Sequence, residues 1–244
     1  MVNMMTYPRV PGLVSIVITN YNKSAFLIDC LDGILRQTYP NWEIILVDDA
    51  STDDSLLQVE KWLQLNQEQL ADRTYITVPL PRNIGYAGAV TTGFYLAAGE
   101  YIAAQDSDDI SHYERLERQV SFLLSRPEIE LVGTNYEVFH RSLSEHKSNA
   151  GWIRYGEQIR KVYANGGHCV CHGTIMLRGK LFDRVGGHTR KIEGAEDYEF
   201  ISRSLKGEPL NIANMPDVLY YYRSHPNQRS RKYFGKDRLK RNEK

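Results

Sequence analysis

Residues 101–109 have the sequence YIAAQDSDD, an apolar run that leads directly into three carboxylates. The run predicts a buried strand, and a strand that ends in acidic side chains presents them where open α/β folds bind ligands. Three like charges within four residues repel one another, and a bound divalent cation would relieve that repulsion. The alternative is a helix N-terminus, because acidic side chains favour the helix dipole and Ser111-x-x-Glu114 has the pattern of a capping box.

Apolar runs and helical patterns alternate along the first half of the chain. Strands are predicted at 13–18, 44–47, 75–80 and 101–104, and helices at 24–35, 53–70, 87–98 and 112–125. This alternation predicts an α/β fold with a parallel sheet and right-handed crossovers. Polar residues follow three of the strands, at 19–22, 48–51 and 106–109. Because parallel strands end at one edge of a sheet, these loops are expected to lie together, which favours a ligand site.

The composition is that of an ordinary globular protein of 244 residues, with 42% hydrophobic residues. Lys and Arg together number 30, as do Asp and Glu, so no overall field attracts nucleic acid, and none is expected as a partner. The sequence contains no long apolar run and no signal-peptide pattern at its start. The odd number of cysteines, three, indicates reduced thiols and a cytoplasmic setting.

The turn after the first predicted strand decides how phosphates could be held. It is Asn20-Tyr21-Asn22-Lys23, which lacks the Gly-x-Gly-x-x-Gly fingerprint of dinucleotide-binding folds, and the chain has no Walker loop either. Phosphates would therefore be held through a metal. Carboxylate oxygens suit Mg²⁺ or Mn²⁺, which bind through one or two carboxylates plus substrate phosphates. Acid-tipped strands with such a metal point to a nucleoside-diphosphate substrate.

Seven segments in order resemble the inverting family 2 glycosyltransferases, which have the GT-A fold. The resemblance runs from Val14 to about His225. The segments are VSIVITNYN at 14–22, VDDASTD at 47–53, NIG at 83–85, AGEYI at 98–102, DSDD at 106–109, ED at 196–197 and YRSH at 222–225. The implied fold is a Rossmann-like, mostly parallel central sheet flanked by helices, with a smaller acceptor-side region.

The resemblance implies a nucleotide-sugar site. In such enzymes the loop after the second strand recognises base and ribose, a role that falls to Asp49, and Tyr21 could stack on the base. His172 and Gly173 lie where relatives line the donor-sugar pocket. The alternative for Asn83 is a plain turn, since Asn and Gly are turn-forming residues. The full set of matching positions is Thr19, Asn20, Tyr21, Asp49, Arg82, Asn83, Asp106, Ser107, His172 and Gly173.

The resemblance also implies metal-binding and catalytic residues. Asp108 matches the direct ligand of Mn²⁺ or Mg²⁺, Asp106 the metal or the ribose, and His225 a histidine that completes the metal or diphosphate site. The alternative for His225 is an ordinary surface residue. Asp197 matches the catalytic base, with Glu196 as the other candidate. The alternative for this pair is compensation of a helix dipole.

The implied reaction is metal-assisted single displacement with inversion. A hexosyl or N-acetylhexosaminyl group would pass from a nucleotide-diphosphate sugar, with UDP favoured, to a hydroxyl acceptor in cell-surface polysaccharide or glycolipid synthesis. The alternative on the same fold is a sugar-phosphate nucleotidyltransferase. That class usually has a Gly-rich loop after the first strand, whereas residues 20–23 contain no glycine. A non-catalytic binding module would show eroded acidic sites, and these are intact.

The resemblance divides the chain into four parts. They are an N-terminal extension at 1–12, a nucleotide-sugar-binding half at 13–110, an acceptor-binding half of the same GT-A domain at 111–228, and a basic tail at 229–244. The expected partners are the nucleotide-sugar donor and a saccharide, lipid-linked or other hydroxyl acceptor. The basic tail predicts peripheral contact with the anionic inner face of a membrane, and the alternative is a solvated tail.

Overall fold

The protein forms one mixed sheet with helices on both faces, which confirms the predicted α/β class. The computed structural model describes residues 8–145, 148–205 and 208–233. Its strands are β1 (Val10–Asn20), β2 (Trp42–Asp48), β3 (Tyr75–Pro79), β4 (Gly99–Asp106), β5 (Ile110–Ser111), β6 (Leu131–Phe139), β7 (Ser148–Asn149), β8 (Met176–Arg178) and β9 (Ile212–Arg223). Its helices are α1 (Ser24–Leu35), α2 (Ser55–Leu65), α3 (Gln67–Leu70), α4 (Tyr86–Leu96), α5 (Arg115–Ser125), α6 (Glu157–Ala164), α7 (Gly179–Val185) and α8 (Glu196–Ser204).

The strand order is β3-β2-β1-β4-β8-β6-β9-β5, with β7 paired to β6. The first four strands are parallel, and every register longer than three residues in the sheet is parallel, including the one between β6 and β9. The order 3-2-1-4 is that of a doubly wound sheet, in which ligands bind beyond the carboxyl ends of the strands. The predicted halves at 13–110 and 111–228 share this one sheet, and β1 begins at Val10, inside the predicted extension.

Burial on both faces explains why the central strands have uninterrupted apolar sequences. All seven residues of β2 are buried. Ile16 and Ile44 pack with α1, α2 and α5 on one face, whereas Val17 and Ile45 pack with α4, α7 and α8 on the other. Successive side chains of a strand point to opposite faces, so apolar residues fill most positions of a strand covered by helices on both sides. The buried Glu43 of β2 accepts instead from the Ser15 hydroxyl and the Ala98 N–H.

The small-residue helix predicted at 87–98 is α4, which packs directly on the central strands. A Cβ built on Gly93 would lie 2.3 Å from Val17 Cγ1 and 3.2 Å from Val47 Cγ2. Such distances are below van der Waals contact, so only glycine lets the helix backbone come this close to β1 and β2. This approach sets the position of the loop before α4, which reaches the ligand-binding edge of the sheet.

The interpretation of the acidic run as a helix N-terminus is wrong. The run lies in the turn between β4 and β5, and α5 begins only at Arg115. Ser111 does not act as a capping box: it belongs to β5, and its hydroxyl donates to Gln105 Oε1 over 2.7 Å. The cap position of α5 falls on Glu114, and no side chain in the described part of the chain caps it. Ser111-x-x-Glu114 has the spacing of a capping box, but the pairing of β5 with β9 places Ser111 in a strand and not at the start of the helix.

Two further features concern the predicted periphery of the molecule. No helix in the described ranges is long and apolar enough to cross a bilayer. Residues 229–233, the beginning of the predicted basic tail, are helical. Residues 1–7 of the predicted extension and 234–244 of the predicted tail lie outside the described residues.

Candidate active site

The loops after β1 and β2 are fastened to each other by buried polar side chains. Asn20 Nδ2 donates to Asp48 Oδ2 over 2.7 Å, and the Ser51 N–H donates to Asp48 Oδ1 over 2.8 Å. Asn22 Oδ1 accepts from the Thr52 N–H over 2.7 Å. Asn20 and Asp48 are buried, and the Asn20 nitrogen and both Asp48 oxygens hold the loop conformation, whereas Asn20 Oδ1 has no partner among the described residues. The loops therefore form a single rigid edge at the carboxyl ends of the two strands.

Thr19 and Tyr21 have different positions in this edge. Thr19 lies in register with Asp106 of the neighbouring strand β4, which brings the first polar loop beside the acidic turn. Tyr21 is 47% exposed, an unusual fraction for so large an apolar ring, and its face is accessible. An exposed aromatic ring of this kind can stack on a planar ligand group.

Asp49 is buried against the turn that begins α4. Its two carboxylate oxygens accept from the N–H groups of Ile84, over 2.7 Å, and Gly85, over 2.9 Å. Asn83 Nδ2 donates to the Asp49 carbonyl over 3.1 Å, so the Asn83-Ile84-Gly85 turn is held by this one residue. Burial raises the pKa of Asp49, although the two N–H groups oppose the shift. Arg82, beside the turn, is exposed.

The three aspartates of the acidic turn occupy different environments. Asp109 is buried, and its Oδ1 accepts from the Arg223 N–H over 2.7 Å, which fastens the turn to β9. Burial, and then the neighbouring Asp108, raise the pKa of Asp106 to about 7. Burial alone would also raise the pKa of Asp108, but the His225 ring and the Lys23 ammonium hold it below its ordinary value. Asp108 is thus the carboxylate with cationic partners, and Ser107 beside it is buried.

The partners of Asp108 come from distant parts of the chain. Lys23 Nζ and His225 Nε2 lie 2.8 and 2.9 Å from the same Asp108 oxygen. Arg223 Nε donates to the Asp108 carbonyl over 2.9 Å and Nη2 to Asp29 over 2.7 Å. The structure therefore brings together the predicted ligands Asp108 and His225, whose oxygen and imidazole donors suit Mn²⁺.

A fully buried arginine supports the acidic turn from beneath. Arg115 donates through Nη1 to Gln105 Oε1 and to Ser111 Oγ, each over 3.0 Å, and through Nη2 to the Ala104 carbonyl over 2.8 Å. Gln105 Nε2 then donates to the carbonyls of Asp106, over 2.9 Å, and of Asp109, over 3.2 Å. The guanidinium thus fixes Gln105, and Gln105 fixes the backbone at both ends of the turn. Burial lowers the pKa of Arg115.

The predicted donor-sugar residues lie against Asp106. A Cβ at Gly173 would lie 2.9 Å from Asp106 Oδ2 and 2.8 Å from the Tyr220 hydroxyl, so this position admits only glycine without displacement. His172 Nδ1 is hydrogen-bonded to the Tyr86 hydroxyl over 2.8 Å, and its Nε2 lies 2.7 Å from His188 Nε2. Burial lowers the pKa of His172 to about 4. The His172 ring is therefore uncharged at physiological pH.

Asp197 and Glu196 form the first turn of α8 and have separate partners. Burial alone would raise the pKa of Asp197, but the His168 ring 3.5 Å away, helped by the Tyr198 N–H, lowers it to about 2. Glu196 is buried and forms an ion pair with Arg229. Asp197 is thus ionised and only partly buried, whereas Glu196 is committed to a structural contact.

The structure gathers most predicted site residues at two neighbouring places on the sheet edge. One group surrounds the ends of β1 and β4 and the start of α8; the other, around Asp49, lies at the end of β2. The first group comprises Thr19, Asp106, Ser107, Asp108, His172, Gly173, Glu196, Asp197 and His225. Residues outside the predicted site set also contact this group, among them Lys23, Tyr86, His168 and Arg229. Lys23, Tyr86 and Arg229 lie within or next to the segments at 20–23, 83–85 and 229–244, which offered a signal, although residue type alone did not assign them to the site.

Comparison with known proteins assigns the family. The model of glycosyl transferase family 2 matches residues 15–186. EpsE, a protein of Bacillus subtilis (strain 168) assigned to the glycosyltransferases, is 31% identical over 223 residues, which cover 91% of this chain and 76% of EpsE. The amylovoran biosynthesis glycosyltransferase AmsE of Erwinia amylovora is 29% identical over 215 residues, 86% of this chain and 76% of AmsE. The chain belongs to glycosyltransferase family 2, which confirms the resemblance found in the sequence.

Solved structures confirm the predicted GT-A fold. TarS of S. aureus, solved with UDP-GlcNAc, matches with a TM-score of 0.71 at 20% identity over 91% of this chain and 61% of TarS. The mannosyltransferase PcManGT from Pyrobaculum calidifontis, solved with GDP-Man and Mn²⁺, matches with a TM-score of 0.66 at 20% identity over 94% of this chain and 60% of PcManGT. The chain thus spans about three-fifths of each of these structures.

Proposed function

We propose that this protein transfers a hexosyl or N-acetylhexosaminyl group from a nucleotide-diphosphate sugar to a hydroxyl acceptor, with inversion at the anomeric carbon. The observation that carries the proposal is the pairing of two unlike acidic sites. Asp197 is ionised. Gly173 lies against Asp106, and the charge of Asp197 is close enough to help raise the pKa of Asp106. A base on one side of the transferred sugar and a leaving-group site on the other are what a single displacement needs.

Asp197 is the proposed catalytic base. With its pKa lowered to about 2 it is fully ionised at neutral pH, but in this state it is also a weak base. Its contact with His168 spans 3.5 Å, which is long for a hydrogen bond. An acceptor hydroxyl that displaces His168 would remove the main stabilising partner and raise the pKa of Asp197, which strengthens it as a proton acceptor.

Asp108 is the proposed ligand of a divalent cation, Mn²⁺ or Mg²⁺, with either His225 or Asp106 as the second protein ligand. Among residues 8–145, 148–205 and 208–233, no three His, Cys, Asp or Glu side chains surround one point. This fits a cation that takes one or two protein ligands and completes its shell with donor phosphates. When bound, the cation would neutralise charge that develops on the departing nucleoside diphosphate. PcManGT, which was solved with Mn²⁺, supports this assignment.

The edge built by the β1 and β2 loops is the proposed nucleotide site. Tyr21 offers an exposed ring for stacking. Asp49, Asn83 and Arg82 border the same edge at the end of β2. UDP is the favoured nucleotide because TarS was solved with UDP-GlcNAc. GDP is the alternative to be tested, since PcManGT was solved with GDP-Man. The comparisons give no support to a sugar-phosphate nucleotidyltransferase.

We propose a saccharide or lipid-linked acceptor in cell-surface polysaccharide or glycolipid synthesis, supported by the amylovoran biosynthesis role in the name of AmsE. A cytoplasmic location, with the tail at 229–244 in contact with an anionic membrane surface, stays a prediction. Binding of the full chain to vesicles with and without anionic lipid, at low and high salt, would test the membrane contact.

The proposed reaction is tested with Mn²⁺, a panel of UDP-, GDP- and dTDP-sugars and a set of saccharide acceptors. We expect product of inverted anomeric configuration by NMR. Asp197→Asn should lower kcat by at least about a thousandfold while donor binding by calorimetry stays within about twofold. Asp217→Asn, which alters an acid in a surface ion pair with Arg118, is the control and should keep full activity. Retained configuration, or full turnover in Asp197→Asn, would contradict the mechanism.

A further inference from the structure

Lys23 occupies the cation position of the acidic turn, although neither the motifs nor the comparisons assign it a role. It directly precedes α1, at the carboxyl end of β1. Its Nζ lies 2.8 Å from Asp108 Oδ2 and 3.3 Å from the Asn227 carbonyl, and only 17% of its side chain is exposed. A lysine so nearly buried pays a desolvation cost that only a specific anionic partner offsets.

The position of Lys23 conflicts with that of a divalent cation on the same oxygen. A cation bound to Asp108 Oδ2 at about 2.1 Å would lie within van der Waals reach of the ammonium, and like charges at that separation repel strongly. Lys23 and the cation therefore compete for Asp108. Because the lysine stem has four flexible carbons, the displaced ammonium stays near the site and needs a new anion.

The diphosphate of the donor is the anion available there, since the cation that displaces Lys23 would bring it. We propose that Lys23 is a diphosphate-binding residue that neutralises Asp108 in the empty site and moves to a phosphate oxygen when donor and cation bind. This inference rests on the proposed function. Because an ammonium has three N–H donors, Lys23 can also donate to a phosphate oxygen while it stays on Asp108. The protein should therefore retain part of its preference for nucleoside diphosphates over monophosphates when no divalent cation is present.

The structure offers an opposing interpretation that the experiment has to exclude. Lys23 could be a fixed ion pair that holds the β1 loop on the acidic turn, with no contact to ligand. A fixed pair would affect stability, and would leave the preference for diphosphates over monophosphates unchanged. Lys23→Arg separates charge from shape, because it keeps a cation on a long stem.

The test measures binding of UDP, UMP, GDP and GMP by calorimetry, in EDTA and in Mn²⁺, for the wild type and three variants. In EDTA, Lys23→Met should lose about tenfold of the diphosphate-over-monophosphate preference, whereas Lys23→Arg should keep most of it. Lys161→Met, at an exposed position on α6, is the matched control and should equal the wild type. Binding of Mn²⁺ alone, followed by electron paramagnetic resonance, should become several-fold tighter in Lys23→Met because the competitor is gone.

The outcomes separate the two proposals. If Lys23→Met keeps the wild-type preference for diphosphates over monophosphates in EDTA, the role of Lys23 is overturned while the proposed function stands. If the wild type binds none of the four nucleotides under either condition, the proposed function fails and the assignment of Lys23 fails with it. Circular dichroism of each variant establishes that a loss of binding is not a loss of folding.

Discussion

Replacement of Arg115 by methionine should destabilise the protein by about 3 kcal/mol. Its guanidinium donates five hydrogen bonds to neutral acceptors. Three go to Gln105, Ser111 and the Ala104 carbonyl, as described above. The other two go to Gln119 Oε1 over 3.1 Å and to the Ile175 carbonyl over 3.2 Å. Some acceptors keep another donor after the change.

The magnitude follows from the acceptors that lose their donor. Gln105 Oε1 still accepts from Ser111, and the Ile175 carbonyl still accepts from the Ala104 N–H. Gln119 Oε1 and the Ala104 carbonyl are left unpaired, and a buried unpaired acceptor costs about 1–3 kcal/mol. Relief of the buried charge offsets part of this total. About 3 kcal/mol is a large share of the 5–15 kcal/mol typical of a folded protein.

Urea unfolding, followed by tryptophan fluorescence, measures the effect of Arg115→Met. With a slope of about 2–3 kcal/mol per molar urea, the midpoint should fall by roughly 1–1.5 M. Arg118→Met, three residues further along the same helix, removes a surface ion pair with Asp217 and should cost less than about 1 kcal/mol. Equal midpoints for the two variants would refute the reasoning, since they would show that the buried network contributes no more than a surface pair.

Three other changes test the site. Gly173→Ala places a methyl group 2.9 Å from Asp106 Oδ2 and should raise the donor KM about tenfold. Gly151→Ala is the control and should leave KM unchanged, because its Cβ would enter open space among the described residues. Equal KM values for the two variants would contradict the close approach of Gly173 to Asp106. The stability advantage of Asp106→Asn over the wild type should be about 2–3 kcal/mol larger at pH 8 than at pH 5. The pKa of Asp106 is raised from 3.8 to about 7 in the folded protein, so wild-type stability falls as pH rises between these two values. Thermal unfolding at both pH values measures this change, and an advantage that does not grow with pH would contradict it. Between pH 6.5 and 4, His172→Asn should lose less unfolding free energy than the wild type, by up to about 3 kcal/mol. His172 is buried and neutral with a pKa of about 4, so it must become charged on unfolding in that pH range. A wild-type plot of unfolding free energy against pH that is no steeper than that of the variant would contradict this.

The sequence predicted the elements whose signal is local. The apolar runs of β1, β2 and β4 are buried on both faces, and such runs have no other stable location in a globular protein. The acidic turn was placed correctly at the end of β4 because parallel strands share one edge. The capping box at Ser111 failed because a short strand, β5, pairs with β9 more than a hundred residues later, and no local pattern encodes that pairing.

The partners of the acidic turn could not be predicted from residue types. Lysine and arginine are usually exposed, so residue type alone does not mark Lys23 and Arg115 as partners of a buried turn. Their burial depends on contacts that exist only after the sheet has formed. His225 was found through the family resemblance alone, because nothing between it and Asp108 in the chain links the two. The assignments of Asp197 and Asp108 stay predictions until the variants are measured.

The connection of the acidic turn to β9 has a consequence for synthesis on the ribosome. Asp108 and Asp109 are translated 117 and 114 residues before His225 and Arg223, the groups that hold them. At about 5–20 residues per second, the nascent chain carries these carboxylates for roughly ten seconds without the His225 ring and the Arg223 N–H. During that interval the first four strands can assemble, but the acidic turn is not yet fastened to β9. The first four strands of the sheet can therefore form early, whereas the contacts of Asp108 and Asp109 with His225 and Arg223 form last, after β9 has left the exit tunnel.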